Sequence, residues 1–253
     1  MIDISWKIQH NYSWELLNRK ITMNTNFTKI YAADVTELND RQLYLLAYQK
    51  VTKERQKKTD SFRFLNDRQC SLGAELLLQH GLKQLGRNTE TIRYDYGDYG
   101  KPYLLDAPDI YFNISHSGEL VLCAISSQEI GCDVEKVSDR NWKVAERFFT
   151  SAEYQMMLRQ ETEEARREMF FRLWTLKESF LKVTGWGMHL SMDSFCMFFE
   201  EDRAFVKQDF NQNTYYFQEL DLREDYKCSV CGLDCELGIR SFPWEMVHMT
   251  DIL

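Results

Sequence analysis

Long apolar runs are absent from this chain of 253 residues. No stretch approaches the roughly 20 apolar residues that a membrane-spanning helix needs, and the opening MIDISWKIQHNY lacks the apolar core of a secretion signal. Basic residues are outnumbered, with 31 Lys and Arg against 39 Asp and Glu and a net charge of -8. We therefore expect a cytoplasmic protein that binds neither nucleic acid nor membranes.

Linker-type segments are also absent. The chain contains 3 Pro and 11 Gly, and no Pro-, Gly- or Ser-rich stretch or internal repeat divides it. Its length allows one large domain or two fused halves, and a hydrophobic content of 44% is enough for a well-packed core.

The cysteines do not indicate a disulfide framework, because there are seven of them in apolar or strand-like surroundings: Cys70, Cys123, Cys132, Cys196, Cys228, Cys231 and Cys235. Cys228 and Cys231 have the spacing of half a zinc site, but no second ligand pair accompanies them. Residues three apart on a strand also point to opposite faces. We expect reduced thiols.

Hydrophobic periodicity predicts a mixed order of helices and strands. The first strand is expected at 29–35, which leaves residues 1–22 as an N-terminal extension. Helices are expected at 39–58, 66–86, 141–149, 151–159 and 163–183, and strands at 110–118, 120–126 and in alternating runs between 195 and 233. Ser151 is the expected N-cap of its helix.

Two acidic signatures stand out, IGCDVEK at 130–136 and WTLKESFLK at 174–182. Asp133 and Glu135 are two apart in a strand-like run, so both side chains leave the same face. Glu178 lies on a helix between apolar residues that would face a core. Three converging carboxylates repel one another unless a cation lies among them, so the pattern predicts a magnesium site.

Each polar motif also has a purely structural interpretation. Glu178 and Lys182 have the spacing of a helix-surface salt bridge, although their apolar neighbours favour an inward orientation. His116 in NISHS could be a satisfied turn residue, and no nucleophile elbow surrounds the adjacent serines, which leaves a contact to phosphate as the better functional role. The basic run 53–58 could be a solvated helix face, but Arg55 and Lys58 would offer one anion two donors.

The motifs YGKP, NISHS, IGCDVEK, FFTSAEY and FRLWTLKESFLKVTGWGM, in this order, resemble the surfactin-synthetase-activating class of 4'-phosphopantetheinyl transferases. The resemblance runs from about residue 29 to the C-terminus. It implies an α/β fold of the α+β type, a monomeric pseudo-dimer of two similar halves. We divide the chain into the extension 1–22, an N-terminal half 23–130 and a C-terminal half 131–253, with the metal site at the interface of the halves.

The resemblance also implies roles for individual residues. Asp133, Glu135 and Glu178 would hold Mg2+, or Mn2+, on the pyrophosphate of coenzyme A, and Glu178 or a metal-bound water would activate the acceptor serine. The implied catalytic residues are Glu178, Lys182 and His116. The implied coenzyme A contacts are Arg55, Lys58, Ser71, Lys101, Pro102, Ser115, His116, Lys177 and Lys182. Cys70 departs from the pattern, because an arginine is common at that position.

The implied reaction is transfer of the 4'-phosphopantetheine arm to a serine of an acyl, peptidyl or aryl carrier protein, as in nonribosomal peptide and antibiotic biosynthesis, with release of 3',5'-ADP. Candidates for a carrier-docking patch, with core packing as the alternative, are Phe148, Phe149, Tyr154, Met156 and Met157. Two other functions stay open, a non-catalytic coenzyme A binding module and another metal-dependent phosphotransferase. The joint presence of carboxylates and a basic helix favours transfer from coenzyme A.

Overall fold

The computed structural model describes residues 26–89, 92–139, 142–239 and 241–253, so the predicted extension 1–22 lies outside the described residues. The helices are α1 (Arg41–Lys50), α2 (Lys53–Ser61), α3 (Leu65–Gln84), α4 (Ala145–Phe148), α5 (Ser151–Leu158), α6 (Glu163–Thr184), α7 (Glu236–Ile239) and α8 (Met249–Ile252). The strands are β1 (Thr28–Asp34), β2 (Tyr94–Tyr96), β3 (Pro102–Leu104), β4 (Tyr111–Ser117), β5 (Leu120–Ser126), β6 (Ile130–Lys136), β7 (Cys196–Glu200), β8 (Arg203–Lys207), β9 (Tyr216–Glu219), β10 (Tyr226–Gly232) and β11 (Trp244–Met246).

The first sheet has the strand order β11-β1-β5-β4, and β5 pairs antiparallel with both β1 and β4. Every residue of β5 is buried, because the two faces of the sheet are both covered. Val121, Cys123 and Ile125 pack in one core with the leucines of α3. Leu122 and Ala124 pack in a second core with residues of β6 and β10. This alternation follows from the two-residue period of a strand.

The second sheet has the order β6-β10-β9, and α6 lies across it. Gly131 of β6 allows this close approach, since a Cβ atom there would lie 2.2 Å from Ser179 O and 2.5 Å from Val183 N. Any larger residue would push the helix away from the strand. The chain therefore forms two units, each with one long helix on one sheet. The first unit has α3 on the mostly antiparallel first sheet, and the second has α6 on the antiparallel second sheet.

The structure differs from the predicted division at the C-terminus. β11 pairs in parallel with β1, and Val247 N donates to Ala32 O at 2.8 Å. Met249 is fully buried in the core of the first unit. Residues 244–253 thus return to the first unit and do not belong to the C-terminal half, because the chain covers the free edge of β1 with its last strand.

Two predicted element boundaries are also corrected. The expected helix 39–58 is two helices, because Thr52 adopts an extended conformation and caps α2 with its side chain. Thr150, not Ser151, is the N-cap of α5, in a reciprocal capping box with Glu153. None of the described helices is both long and apolar enough to cross a bilayer.

Candidate active site

An ion pair between β6 and α6 lies at the centre of the candidate site. Lys182 Nζ lies 2.6 Å from Asp133 Oδ1 and also donates to Cys132 O at 3.1 Å. Burial lowers the pKa of Lys182, but the Asp133 carboxylate more than compensates, so the pKa is raised and the ammonium stays charged. The other carboxylate oxygen of Asp133, Oδ2, is buried with no hydrogen-bond partner among the described residues.

Strand β4 lies beside β6 and joins it through side chains at alternate positions. Asn113 Oδ1 accepts from Cys132 N at 2.9 Å, Ser115 Oγ donates to Asp133 Oδ1 at 2.8 Å, and Ser117 Oγ donates to Glu135 Oε2 at 2.8 Å. The two serines thus each orient one of the predicted metal-binding carboxylates. These three contacts cross from the first sheet to the second.

The three predicted metal ligands share one electrostatic environment. Burial, followed by the nearby Asp133 carboxylate, raises the pKa of Glu135 to about 7. The same two causes raise the pKa of Glu178. Within the described ranges, however, no three His, Cys, Asp or Glu side chains approach closely enough to hold a metal ion by themselves. A cation here would need further oxygen ligands from a bound substrate or water.

A cavity of about 310 Å³, termed the cationic cavity after Arg55 and Lys58 of α2, lies on the other side of β4. Its wall also includes Pro102, His116 and the carboxylates of Glu54 and Glu75. Arg55 Nε donates to the buried carboxylate of Glu75 at 3.1 Å, which fixes the guanidinium in the wall. Desolvation and the Lys182 ammonium lower the pKa of His116, so its imidazole is neutral at neutral pH and can donate a hydrogen bond to phosphate.

Comparisons with known proteins agree with these motifs. A family model described as the 4'-phosphopantetheinyl transferase superfamily matches residues 129–231, and one described as 4'-phosphopantetheinyl transferase, N-terminal, matches residues 39–128. The 4'-phosphopantetheinyl transferase gsp of Aneurinibacillus migulanus is 36% identical over 195 residues, which cover 77% of this chain and 81% of that protein. The chain belongs to the 4'-phosphopantetheinyl transferase family.

A second relative is in line with this membership. The 4'-phosphopantetheinyl transferase Sfp of Bacillus subtilis strain 168 is 33% identical over 184 residues, covering 72% of this chain and 82% of that protein. The crystal structure of holo-[acyl-carrier-protein] synthase from Thermotoga maritima has a TM-score of 0.37 and 23% identity, covering 42% of this chain and 62% of that one. The predicted family, the mixed α/β fold and the classification as an enzyme are confirmed by the family models and the relatives.

One predicted coenzyme A contact of this transferase requires correction. Lys177 is 0% exposed, and its Nζ lies 2.6 Å from Glu153 Oε1 and donates to Phe195 O at 2.9 Å. Its side chain thus enters the core of the second unit, on a different face of α6 from Lys182. A buried ammonium with a buried counter-ion cannot reach a ligand in the cleft.

Two other predicted contacts have partners in the protein. Ser71 is buried between α2 and α3, where its hydroxyl accepts from Thr59 Oγ1 at 2.9 Å. Lys101 Nζ lies 2.5 Å from Glu129 Oε2 and donates to Val183 O at 3.2 Å, so this lysine ties the YGKP loop to β6 and α6. In these positions Ser71 is not accessible to coenzyme A, and the Lys101 ammonium is engaged by the Glu129 carboxylate and by the backbone carbonyls of Ile130 and Val183. Their roles as ligand contacts of this transferase are not supported by these side-chain positions.

The predicted docking candidates divide between core and surface. Phe149 and Met157 are buried in the core of the second unit, which corrects their assignment to a docking patch. Tyr154 and Met156 are half-buried. Phe148 packs edge-on against Trp174, and both line a cavity of about 640 Å³ that also includes Ser117 and Glu135. The apolar wall of this cavity thus lies next to Glu135, one of the candidate metal ligands.

Several functional residues of this family member were missed in the sequence. Asn113, Ser117, Gly131 and Glu75 orient the site without being obvious ligands. The period-two spacing of Asn113, Ser115 and Ser117 was a usable signal, because such residues share one face of a strand. Gly131 carried no signal without knowledge of what packs on it.

Proposed function

We propose that this protein transfers the 4'-phosphopantetheine arm of coenzyme A to a serine of apo acyl or peptidyl carrier proteins, with Mg2+ and with release of 3',5'-ADP. The observation that carries the proposal is the arrangement around β4. His116 lines the cationic cavity on one side, and Ser115 contacts Asp133 and Lys182 on the other. A pyrophosphate that lies across this strand would have Arg55 and Lys58 near the nucleotide to which it is attached. Its other end, where the reaction takes place, would lie near the Asp133 carboxylate and Lys182.

The residues present fit a divalent cation. The candidate ligands Asp133, Glu135 and Glu178 offer only carboxylate oxygens, which suit Mg2+ or Mn2+ and not zinc. The buried Asp133 Oδ2 atom has no partner among the described residues, and an oxygen in that state favours a cation as its missing partner. When bound, the metal would neutralise charge on the pyrophosphate oxygens.

The nucleotide end of coenzyme A would lie in the cationic cavity. Arg55 and Lys58 would contact the 3'-phosphate, and His116 would donate to a pyrophosphate oxygen. Desolvation and the neighbouring Arg55 lower the pKa of Lys58. An anion bound between these two cations would raise this pKa again, because it favours the charged form of the lysine. Pro102 would form part of the wall around the nucleotide.

The transfer itself needs a base and a cation at the reacting phosphorus. The serine oxygen forms a bond to the phosphorus that carries the pantetheine arm, while the bond from this phosphorus to the bridging oxygen breaks. Glu178 takes the serine proton, and 3',5'-ADP leaves with the bridging oxygen. Lys182 stays protonated because its pKa is raised, so its ammonium can stabilise charge at the phosphate under attack.

Carrier proteins, a monomeric state and a cytoplasmic location are part of the proposal. No contact among the described residues favours a coenzyme A module without catalysis, since such a module would not need Glu178 and Lys182 beside Asp133. The basic cavity likewise has no use in a phosphotransferase that does not bind a nucleotide.

The test is direct. The purified protein is incubated with coenzyme A, Mg2+ and a panel of apo-carrier proteins, and intact mass is measured. We expect each accepted carrier to gain one phosphopantetheine group, and we expect chelation of the metal to abolish the gain. Retained coenzyme A binding with no modified carrier in the panel would instead favour the binding module.

A further inference from the structure

Phe64 and Leu65 are large apolar side chains that the fold does not bury. They are 63% and 53% exposed, and both lie at the start of α3. Phe64 is the N-cap residue and makes no side-chain capping hydrogen bond. Helix stability prefers Ser, Thr, Asp or Asn at that position. A phenylalanine that contributes little burial and no cap indicates a use outside the folding of the chain.

The pair lies at the rim of the candidate active site. Asn66, which follows it, donates from Nδ2 to Gly118 O at 2.8 Å. Gly118 lines the same cavity as Ser117, Glu135 and Trp174. The first turn of α3 is therefore hydrogen-bonded directly to a residue that lines this cavity.

The surroundings of this apolar pair are basic. The guanidinium of Arg63 lies 5.4 Å from the centre of the Phe64 ring, and Lys57 and Lys58 are exposed nearby in sequence. The acidic residues in this stretch are Asp60, which accepts from Tyr48 at 2.8 Å, and Asp67 in the first turn of α3. They are outnumbered by Lys57, Lys58, Arg63 and Arg68. In an isologous dimer this basic stretch would face its own copy, so the local excess of cations favours an acidic partner over a second copy of the chain.

We propose that Phe64 and Leu65 form a docking surface for the carrier protein. The carrier places an apolar side chain, flanked by its own acidic residues, on this surface as its acceptor serine enters the cleft. The inference rests on the proposed function and names the surface through which the partner is held. Exposed apolar anchors flanked by complementary charge are the usual source of affinity in such transient interfaces.

The test compares Phe64→Ser and Leu65→Ser with Leu45→Ser and Leu46→Ser, two side chains of α1 that are 48% and 45% exposed. Steady-state transfer is measured with the carrier and with coenzyme A varied separately. We expect the α3 variants to raise KM for the carrier about tenfold, with kcat and KM for coenzyme A unchanged, because only docking is weakened. The α1 variants should keep the wild-type KM.

Stability gives a second, independent readout. Phe64→Ser supplies an N-cap and removes a side chain that is 63% exposed, so its melting temperature should not fall. Arg63→Glu should raise KM for the carrier at low salt, and the effect should shrink at high salt.

Unchanged KM for the carrier in both α3 variants would overturn the docking surface while leaving the transferase function in place. Absence of transfer by the wild-type protein would instead reject the function itself. The apparent mass of Phe64→Ser in gel filtration is compared with that of the wild type. A lower mass of the variant together with an unchanged KM for the carrier would show that the occupant is a second copy of this chain, and the carrier proposal would be wrong.

Discussion

Asp133 shares one carboxylate oxygen between Lys182 and Ser115 and leaves the other buried without a partner in the described part of the chain. Lys182 belongs to α6 and Ser115 to β4, so this carboxylate joins the long helix of the second unit to the edge strand of the first sheet. Changes at this junction should therefore separate catalysis from folding.

Glu178→Gln should reduce transfer by at least about 100-fold, because it removes a candidate metal ligand and the proposed base while keeping the side-chain volume. Its melting temperature without metal should stay the same or rise, since burial raises the pKa of Glu178 and its charge is unfavourable. Turnover and thermal unfolding are measured on the same preparation. Glu168→Gln is the matched control, because Glu168 lies on the same helix but pairs with Lys227 at the surface. Near-normal turnover in Glu178→Gln would remove this residue from the mechanism.

Lys58→Ala should weaken the binding of coenzyme A more than that of dephospho-coenzyme A, because the proposed partner of Lys58 is the 3'-phosphate, which only coenzyme A carries. The lost charge-assisted contact should cost about 1.5 to 3 kcal/mol, measured by calorimetry with both ligands. Lys57→Ala is the control, as Lys57 is exposed on the same helix outside the cavity lining. Equal losses for the two ligands would show that α2 does not bind the 3'-phosphate.

Arg55→Ala should also weaken the binding of coenzyme A more than that of dephospho-coenzyme A. Unlike Lys58→Ala, it should in addition lower the free energy of unfolding. Its removal leaves the buried Glu75 carboxylate without its cation, although Thr52 N still donates to that carboxylate at 2.6 Å. The double variant of Arg55 and Lys58 is therefore less informative than Lys58→Ala alone.

Glu135 should make the free energy of unfolding of the metal-free protein depend on pH. The folded-state pKa of this carboxyl is about 7 against an ordinary 4.5, so the folded state keeps a proton that the unfolded state has lost. The free energy of unfolding should fall as pH rises through this window. Glu135→Gln cannot ionise, so its melting temperature should exceed that of the wild type more at about pH 8 than at about pH 5.

Glu119→Gln provides a control of opposite sign. Hydrogen bonds from Lys136 and Tyr226 lower the pKa of Glu119 to about 2, so its ionised form stabilises the folded state at neutral pH. The Gln variant should lose stability at about pH 8. A Glu135→Gln variant with the same pH profile as the wild type would contradict the assigned desolvation.

Lys177→Met should destabilise the protein by about 3 to 5 kcal/mol, because it leaves the carboxylate of Glu153 buried without its cation. Adding Glu153→Gln should recover part of the loss, since the amide oxygen can still accept from Met197 N. Denaturant unfolding measures both. At a temperature where the variant is folded, KM for coenzyme A should be unchanged, and a raised KM without lost stability would restore Lys177 as a ligand contact.

Local sequence was sufficient for the motifs and for most of the longer elements, although it merged α1 with α2 and missed the short strands β2, β3 and β11. The two-residue period placed Asp133 and Glu135 on one face of a strand, and the helical period placed Glu178 and Lys182 on a helix that lies over it. The runs around Arg55 and Lys58 predicted a basic helix, and both residues line one cavity. These predictions succeeded because periodicity and spacing act within one element.

Contacts between elements could not be predicted in the same way. Lys177 and Lys182 are similar in sequence context, but five residues on a helix turn them to different faces, one toward Glu153 and one toward Asp133. Ser115 was predicted to contact coenzyme A, yet it donates to a carboxylate of β6, because β4 lies beside that strand. Which residues face each other across two sheets depends on how the sheets pack, and here the packing depends on Gly131 letting α6 approach β6 to within van der Waals contact.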